Sequence, residues 1–497
     1  MNPRIRGWLF AGGSALLALW IGWSIANGSL GLAGLAAATS LAAILVRLSR
    51  LPLGTVVLGL LLIGYVVGNR GFAQIMPLSR VPLFPAELGL AVCLGGLIMQ
   101  AATRRTQWWR NDALNWAVAI WLVLGTARVI VDVPRHGLMA LRDYAVVYYA
   151  AYFFVAQHQA MQARAQRYLV GCLRLGVVVL LPVYFLFQAL PEFFLSSLTL
   201  RGVPLVFLKG DLAASFLGAG MAIVYFTLHE RHRFLGGVLA GAMFLTVVAG
   251  DSRASLAGVV VASIWLLMAR RWGLPALQGV MVALALTALV AAAVLGSSRA
   301  AEARLQVLTD YTASLTDLQR SHVYSNEENA YKSDNNQFRL VWWGALARET
   351  ASQAPVFGLG FGYDLARGFL QLYYPETDDD FTVRSPHSIV MSVFGRMGII
   401  GLAVFAFVIG AMIFKTWGAL RNRSTNDVEV GLWCAAWVIL TSACFGVVLE
   451  GPMGAVVFWS VLGLACGSRV NRDSAVETEA TRSRSPLPEV EASTTES

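Results

Sequence analysis

The sequence predicts an all-α fold, a polytopic membrane protein of about 12–14 transmembrane helices with one large helical loop on its outer side. Three observations predict it. Charged residues make up only 13% of the 497-residue chain, where soluble proteins carry about a quarter. Mean hydropathy is +0.61 and 57% of the residues are hydrophobic. Apolar runs recur from near residue 8 to near residue 468, and in hydrocarbon a spanning backbone must satisfy its own hydrogen bonds, which repeated long apolar runs do as helices.

Taken in order, the runs centre on 8–25, 28–46, 51–69, 84–102, 113–131, 138–157, 168–190, 211–228, 234–250, 254–269, 274–296, 388–414, 428–448 and 453–468. The first follows MNPRIRG without a small-residue cleavage site and reads as a retained helix. Basic residues orient the set. Arg4, Arg6, Arg47, Arg50, Arg104, Arg105, Arg110, Arg164, Arg167, Arg231, Arg233, Arg270, Arg271, Lys415, Arg421 and Arg423 fall on one side. By the positive-inside rule that side is the cytoplasm, with both termini there. The chain then divides into an N-terminal bundle (1–296), an outer loop (297–386), C-terminal helices (387–469) and a tail (470–497). The tail is rich in Ser, Thr, Glu, Arg and Pro and is expected to be disordered. The loop is too long for a passive connector. It holds Trp342, Trp343, Phe357, Phe361, Tyr363 and Phe369, so a folded helical cap is expected, with a looser section near 311–336.

Composition excludes several functions. The net charge of +9 is spread over many short loops, which argues against nucleic acid as a partner. The five cysteines lie in or beside apolar runs without paired ligand spacing and read as small hydrophobes. His229 and His232 share a cytoplasmic turn with arginines and no thiol or carboxylate cluster, so no metal site is expected. Asp378, Asp379 and Asp380 read as a solvated turn. GLGFG at 358–362 lacks the strand–turn–helix setting of a dinucleotide fingerprint.

Chemistry is expected where cations oppose the orienting rule. Arg70, Arg80, Arg128, Arg135, Arg142, Arg201, Lys209, Arg253, Arg339 and Arg384 map to the outer side. They read either as side chains snorkelling to headgroups or as a basic cup for an anionic, membrane-borne substrate, since the planar guanidinium suits phosphate. Arg253, in GDSRASL, has Asp251 as a local partner. Arg142 and Asp143, in LMALRDYAVVYYA, read as an ion pair supporting the outer end of a span. His387 stands where the loop meets an apolar helix, behind Arg384 and Pro386. It is either a hydrogen-bonded lip residue or an acceptor for a hydroxyl proton at neutral pH.

Three segments carry a family likeness: PHSIVMSVFGRMGIIGL at 386–402, DSRASLAG at 251–258 and FRLVWWGALARETASQAPVFGLGFG at 338–362. Their order and spacing resemble the bacterial O-antigen ligase and polymerase superfamily of glycan-transferring membrane proteins. The segments GYVVGNRGFAQIMPLSRVPLFPAELGL, LRDYAVVYYA, LKGDLAASF and VVLEGPMGAVVFWSVLGLA resemble its exopolysaccharide-polymerase branch. Ser388 and Arg396 depart from the Asn and the acidic residue common in the family.

The resemblance implies an inverting transferase of the bacterial inner membrane, needing neither metal nor cofactor and working on the periplasmic face. It implies a polyprenyl-diphosphate-linked glycan donor and, as acceptor, another lipid-linked repeat unit in a polymerase or lipid A–core in a ligase. Membrane lipids and polysaccharide export or chain-length proteins are the further partners expected. His387 would act on the acceptor hydroxyl, Arg253, Arg339 and Arg384 would bind the diphosphate, and Arg142, Asp143 and Lys209 would support them. The alternative from another class is a transporter or flippase. Such proteins place charged or broken-helix sites near the midplane and often carry repeats, whereas these charges lie at the outer lip and no repeat is visible.

Overall fold

Runs rich in Leu, Val and Ala fold as helices throughout the computed structural model, which describes residues 30–76, 83–104, 109–250, 252–269, 327–373, 384–422 and 425–484. The helices are α1 (Leu30–Ser49), α2 (Leu53–Gln74), α3 (Pro85–Arg104), α4 (Ala113–His136), α5 (Leu138–Tyr148), α6 (Ala151–Ala160), α7 (Ala163–Ala189), α8 (Gly210–Ala249), α9 (Arg253–Met268), α10 (Glu327–Gln353), α11 (Arg367–Tyr373), α12 (Ile389–Arg421), α13 (Asp427–Cys444) and α14 (Pro452–Arg484). A two-stranded hairpin, β1 (Thr199–Leu200) and β2 (Val203–Pro204), stands between α7 and α8.

Among the described residues eight helical segments are long and apolar enough to cross a membrane, and four shorter apolar stretches accompany them. Each expected span coincides with one of these, apart from 8–25 and 274–296, which lie outside the described residues. The protein is therefore a multi-pass α-helical membrane protein. Apolar side chains such as Val123, Ile130, Leu175 and Phe414 face outward, as contact with lipid tails requires. The backbone of α14 continues to Arg484, into the segment expected to be a tail.

The core sits where α6 lies against α14 and where α8 and α9 flank α13. Tyr152 through Ala160 of α6 are all buried. The approach to α14 depends on Gly463 and Gly467, four residues apart on one face. A Cβ on Gly463 would stand 2.3 Å from the Phe153 carbonyl oxygen, and one on Gly467 2.5 Å from that of Gln157. Small residues at this spacing let two backbones close in a membrane. Two polar clusters inside the bundle are paired. Asn115 and Gln157 exchange amide hydrogen bonds of 3.0 and 2.9 Å. Asp112 caps α4 by accepting from the Leu114 and Asn115 amides, and Lys415 Nζ from α12 donates to its other oxygen at 2.8 Å.

Three long helices are broken at one residue each: α2 at Asn69, α8 at His232 and α12 at Gly398. The break at Asn69 matters for the site. Released from helical geometry, this stretch pairs with the segment before α8, the Arg70 amide donating to the Phe207 carbonyl at 3.0 Å and the Phe207 amide to that of Gly68 at 3.1 Å. Asn69 Oδ1 then accepts from the Lys209 amide at 3.2 Å.

The long loop expected on the outer side contributes α10 and α11, with a small core of their own in Trp342, Leu346, Leu365, Ala366 and Phe369. Residues 297–326 and 374–383 of that loop, Asp378–Asp380 among them, lie outside the described residues.

Candidate active site

The turn into α12 has an unusual backbone. Ser388 is the N-cap, its hydroxyl accepting from the Met391 amide, as Ser does at helix starts. His387 just before it has φ +55°, a left-handed conformation that non-glycine residues adopt at a cost of roughly 1–2 kcal/mol. Strain of this kind clusters at functional sites. Trp343 Nε1 holds the turn from above, donating to the Pro386 carbonyl at 2.6 Å.

Helix α10 supplies the partner. Arg339, Trp342 and Trp343 fall on one face by their i, i+3, i+4 spacing. Trp342 anchors that face by donating Nε1 to the Leu365 carbonyl at 2.9 Å. Arg339 then spans two elements: Nη1 donates to the Phe445 carbonyl at 2.9 Å and Nη2 reaches His387 Nδ1 at 3.4 Å. A guanidinium can only donate, so Nδ1 accepts and the proton of the neutral ring sits on Nε2. Burial lowers the His387 pKa to about 4, with Arg339 and Lys209 adding to the shift and Asp211 opposing it. The ring is neutral at pH 7.

The other cations arrive on helix starts. Arg253 is the first residue of α9. Burial lowers the Arg339 pKa, Asp211 opposes the shift and the Arg253 charge adds to it. Lys209 is held by Asn69 and pairs with Asp211, Nζ to Oδ2 at 3.5 Å. Asp211 is the counter-charge of the cluster, facing both Arg339 and His387. Ser255 ties α9 to α8 by donating to the Asp211 carbonyl at 3.4 Å. Asp251, the local partner expected for Arg253, lies outside the described residues.

Other expected site residues serve the cap. Asp143 pairs with Arg396 at 2.6 Å, both side chains nearly excluded from solvent, and not with its neighbour Arg142. Arg142 is exposed and touches Met139 Sδ at 3.9 Å. The ion pair expected from adjacency is thus replaced by one between α5 and α12, which takes a buried cation out of an otherwise unpaired state. Arg384 donates Nη2 to the Gly362 carbonyl at 2.7 Å, and Asp143 accepts from the Gly362 amide at 3.0 Å. Arg128 pairs with Asp132 at 3.0 Å and donates to the Gly358 carbonyl at 3.1 Å. The GLGFG stretch is a structural loop gripped by these side chains.

Sequence reasoning passed over Asp211 and Glu450. Both are single carboxylates at helix ends, Asp211 within LKGDLAASF and Glu450 within VVLEGPMGAVVFWSVLGLA, and that position was the signal. Glu450 accepts from the hydroxyls of Ser385 and Ser392. Burial pushes its carboxyl up to about 7, against the pull of Ser392, Arg396 and Lys209. Among the described residues no three of His, Cys, Asp and Glu gather as a metal site.

One consequence is testable without any substrate. Arg339→Met removes a cation that holds His387 down, so the ring pKa should rise from about 4 toward the ordinary value of about 6.5. Burial and Lys209 remain, so the rise should be partial. An NMR titration of the His387 ring checks it, and an unmoved midpoint refutes the contact.

None of the curated proteins compared with the chain matches it. A family model described as O-Antigen ligase matches residues 238–406. The matched stretch runs from the second half of α8 into α12 and contains Arg253, Arg339, Arg384 and His387, while Lys209, Asp211 and Glu450 fall outside it. Over residues 238–406 the chain is therefore similar to the O-antigen ligase family.

Proposed function

We propose that this protein is an inner-membrane glycan transferase that moves a polyprenyl-diphosphate-linked oligosaccharide onto an acceptor hydroxyl on the periplasmic face, as a repeat-unit polymerase of an exopolysaccharide or O-antigen. The observation that carries the reading is the contact of neutral His387 with Arg339 beside Arg253 and Lys209. A diphosphate is a good leaving group, so the protein chiefly has to position cations and the attacking hydroxyl.

The acceptor oxygen attacks the anomeric carbon. The bond from that carbon to the diphosphate breaks, and polyprenyl diphosphate leaves with the electron pair and inverted stereochemistry at the sugar. Arg253 and Arg339 take up the charge developing on the diphosphate, with no metal required. Arg339 occupies His387 Nδ1 at rest. As the diphosphate draws the Arg339 guanidinium to itself, Nδ1 is released, the acceptor hydroxyl takes Arg339's place there, and its proton passes to Nδ1 as its oxygen attacks, the ring keeping its Nε2 proton.

A second reading, transfer to lipid A–core, is favoured by the description of the family that matches residues 238–406. Purified protein incubated with a polyprenyl-diphosphate-linked repeat unit, with and without lipid A–core, separates the two. A ladder of longer lipid-linked glycans is the expected outcome, and product on lipid A–core alone makes the protein a ligase. No transfer in either arm refutes both.

Arg339→Lys should lower kcat/KM by about ten- to a hundredfold in the same assay. Lysine keeps the charge but not the fork that reaches Phe445 and His387 together. Turnover within twofold of the parent protein would show that the charge alone suffices.

A further inference from the structure

Glu450 lies in the turn between α13 and α14, its amide donating to the Val447 carbonyl at 3.3 Å. Its two carboxylate oxygens are used separately: Oε2 accepts from Ser385 and Oε1 from Ser392. These serines stand two residues before and five residues after His387. One carboxylate therefore grips the chain on both sides of the residue with the left-handed backbone. The link to His387 is direct on one side, since the His387 amide donates to Ser385 Oγ at 3.3 Å. Hydrogen bonds run from the His387 amide to Ser385 and from Ser385 to Glu450, from an element that carries none of the expected site residues.

We propose that ionised Glu450 is a positioning residue for glycan transfer, holding His387 in its working geometry through the hydroxyls of Ser385 and Ser392. The pair of serines suits the ionised form. Both hydroxyls donate, and a carboxylate has acceptor capacity for both. A protonated carboxyl donates through one oxygen, so one of the two serines has to turn from donor to acceptor, which changes the grip on the turn.

The charged groups facing Glu450 are Arg396 from α12, Lys209 ahead of α8 and Asp143 from α5. The first two favour ionisation, while Asp143 and burial oppose it, leaving the carboxyl poised near 7. The clamp tightens as pH rises through that value and slackens below it. It follows that transfer has a pH step belonging to Glu450, above the one belonging to His387 near 4.

The kinetic arm of the test rests on the transferase reading; the spectroscopic arm does not. The full-length protein in lipid, with histidine isotopically labelled, is compared with Glu450→Gln, Glu450→Asp and Ser385→Ala. The donor is a polyprenyl-diphosphate-linked repeat unit. Glu450→Gln should lower kcat by about ten- to a hundredfold with little change in KM, the size expected when a reacting group is misplaced. Its pH profile should lose the step near neutrality, and Glu450→Asp should restore part of the rate. The His387 ring resonance should show a second inflection near neutrality in the parent protein and none in Glu450→Gln.

An unchanged pH profile in Glu450→Gln, a loss confined to KM, or a His387 resonance without that inflection in the parent protein overturns the proposal. If the parent protein transfers nothing, the transferase reading fails and the resonance alone decides the clamp. If Glu450→Gln does not fold, Ser385→Ala, which keeps the Ser392 contact, is judged by the same readouts and should show a smaller loss in the same direction.

Discussion

Replacing His387 with alanine should lower glycan transfer by roughly 10²–10⁴-fold, the range for removing a group that handles a proton in the transition state. The backbone supplies the control that alanine lacks. At φ +55° glycine is the least strained residue, so His387→Gly should relieve about 1–2 kcal/mol of conformational cost. It should therefore melt no lower than the parent protein and yet be inactive. Asparagine also tolerates the left-handed region and can donate to a hydroxyl but not take its proton at neutral pH. A partly active His387→Asn would make His387 an orienting donor, whereas loss equal to alanine would make it the base. Near-normal turnover in His387→Gly would remove His387 from the reaction altogether. The pH dependence has a defined sign. The neutral ring is the competent form, so activity should fall as pH drops through about 4, and this limb should vanish in every His387 variant.

The architecture was legible because the membrane imposes a long apolar run on every span. The runs mark the position of each described span, and cations against the positive-inside trend mark ten positions, Lys209, Arg253 and Arg339 among them. The helix breaks were not legible. Asn69, His232 and Gly398 sit inside unbroken apolar or mixed stretches, and hydropathy carries no record of a backbone that changes direction. Local adjacency also misled. Arg142 and Asp143 are neighbours in sequence and point apart along a helix, since successive residues do not share a face. Asp143 finds Arg396 instead, far along the chain.

The alternating glycines of GLGFG at 358–362 have a reason that hydropathy and motif spacing do not carry. Gly358, Gly360 and Gly362 all have positive φ, so the loop alternates the direction of its amides and carbonyls. The Leu359 amide donates to the Gly395 carbonyl at 2.7 Å and the Gly360 amide to that of Arg396 at 3.2 Å. In return the Ile399 and Ile400 amides donate to the Pro355 and Val356 carbonyls at 2.9 and 3.3 Å. The Pro-x-x-Gly-x-Gly and Gly-Ile-Ile-Gly elements, read as two separate signatures, form a single junction between the cap and α12.

That junction makes Gly398→Ala the substitution expected to damage the fold most. Gly398 has φ +61° and ψ −156°, a region essentially closed to residues with a Cβ. A Cβ there would lie 2.5 Å from the Val356 carbonyl oxygen and 2.6 Å from the Gly358 nitrogen. Both are backbone atoms already hydrogen-bonded, the Val356 carbonyl to the Ile400 amide of α12 and the Gly358 amide to the Ala354 carbonyl within the loop, so neither can retreat as a flexible side chain would. Backbone strain and overpacking together should lower stability by about 2–5 kcal/mol. The loop 354–362 would be released, and with it the carbonyl of Gly362 that Arg384 holds three residues ahead of His387. Transfer should therefore fall along with stability. Gly410→Ala is the matched control: the same helix, ordinary helical geometry and nothing within 4 Å of the added carbon. It should be neutral or gain a few tenths of a kcal/mol up to about 1 kcal/mol from helix propensity. Thermal unfolding in detergent, followed by limited proteolysis to locate the opened segment, compares the two. Cleavage should begin within 354–362 for Gly398→Ala and not for Gly410→Ala, and equal melting of the two variants would mean that the junction does not hold the cap to α12.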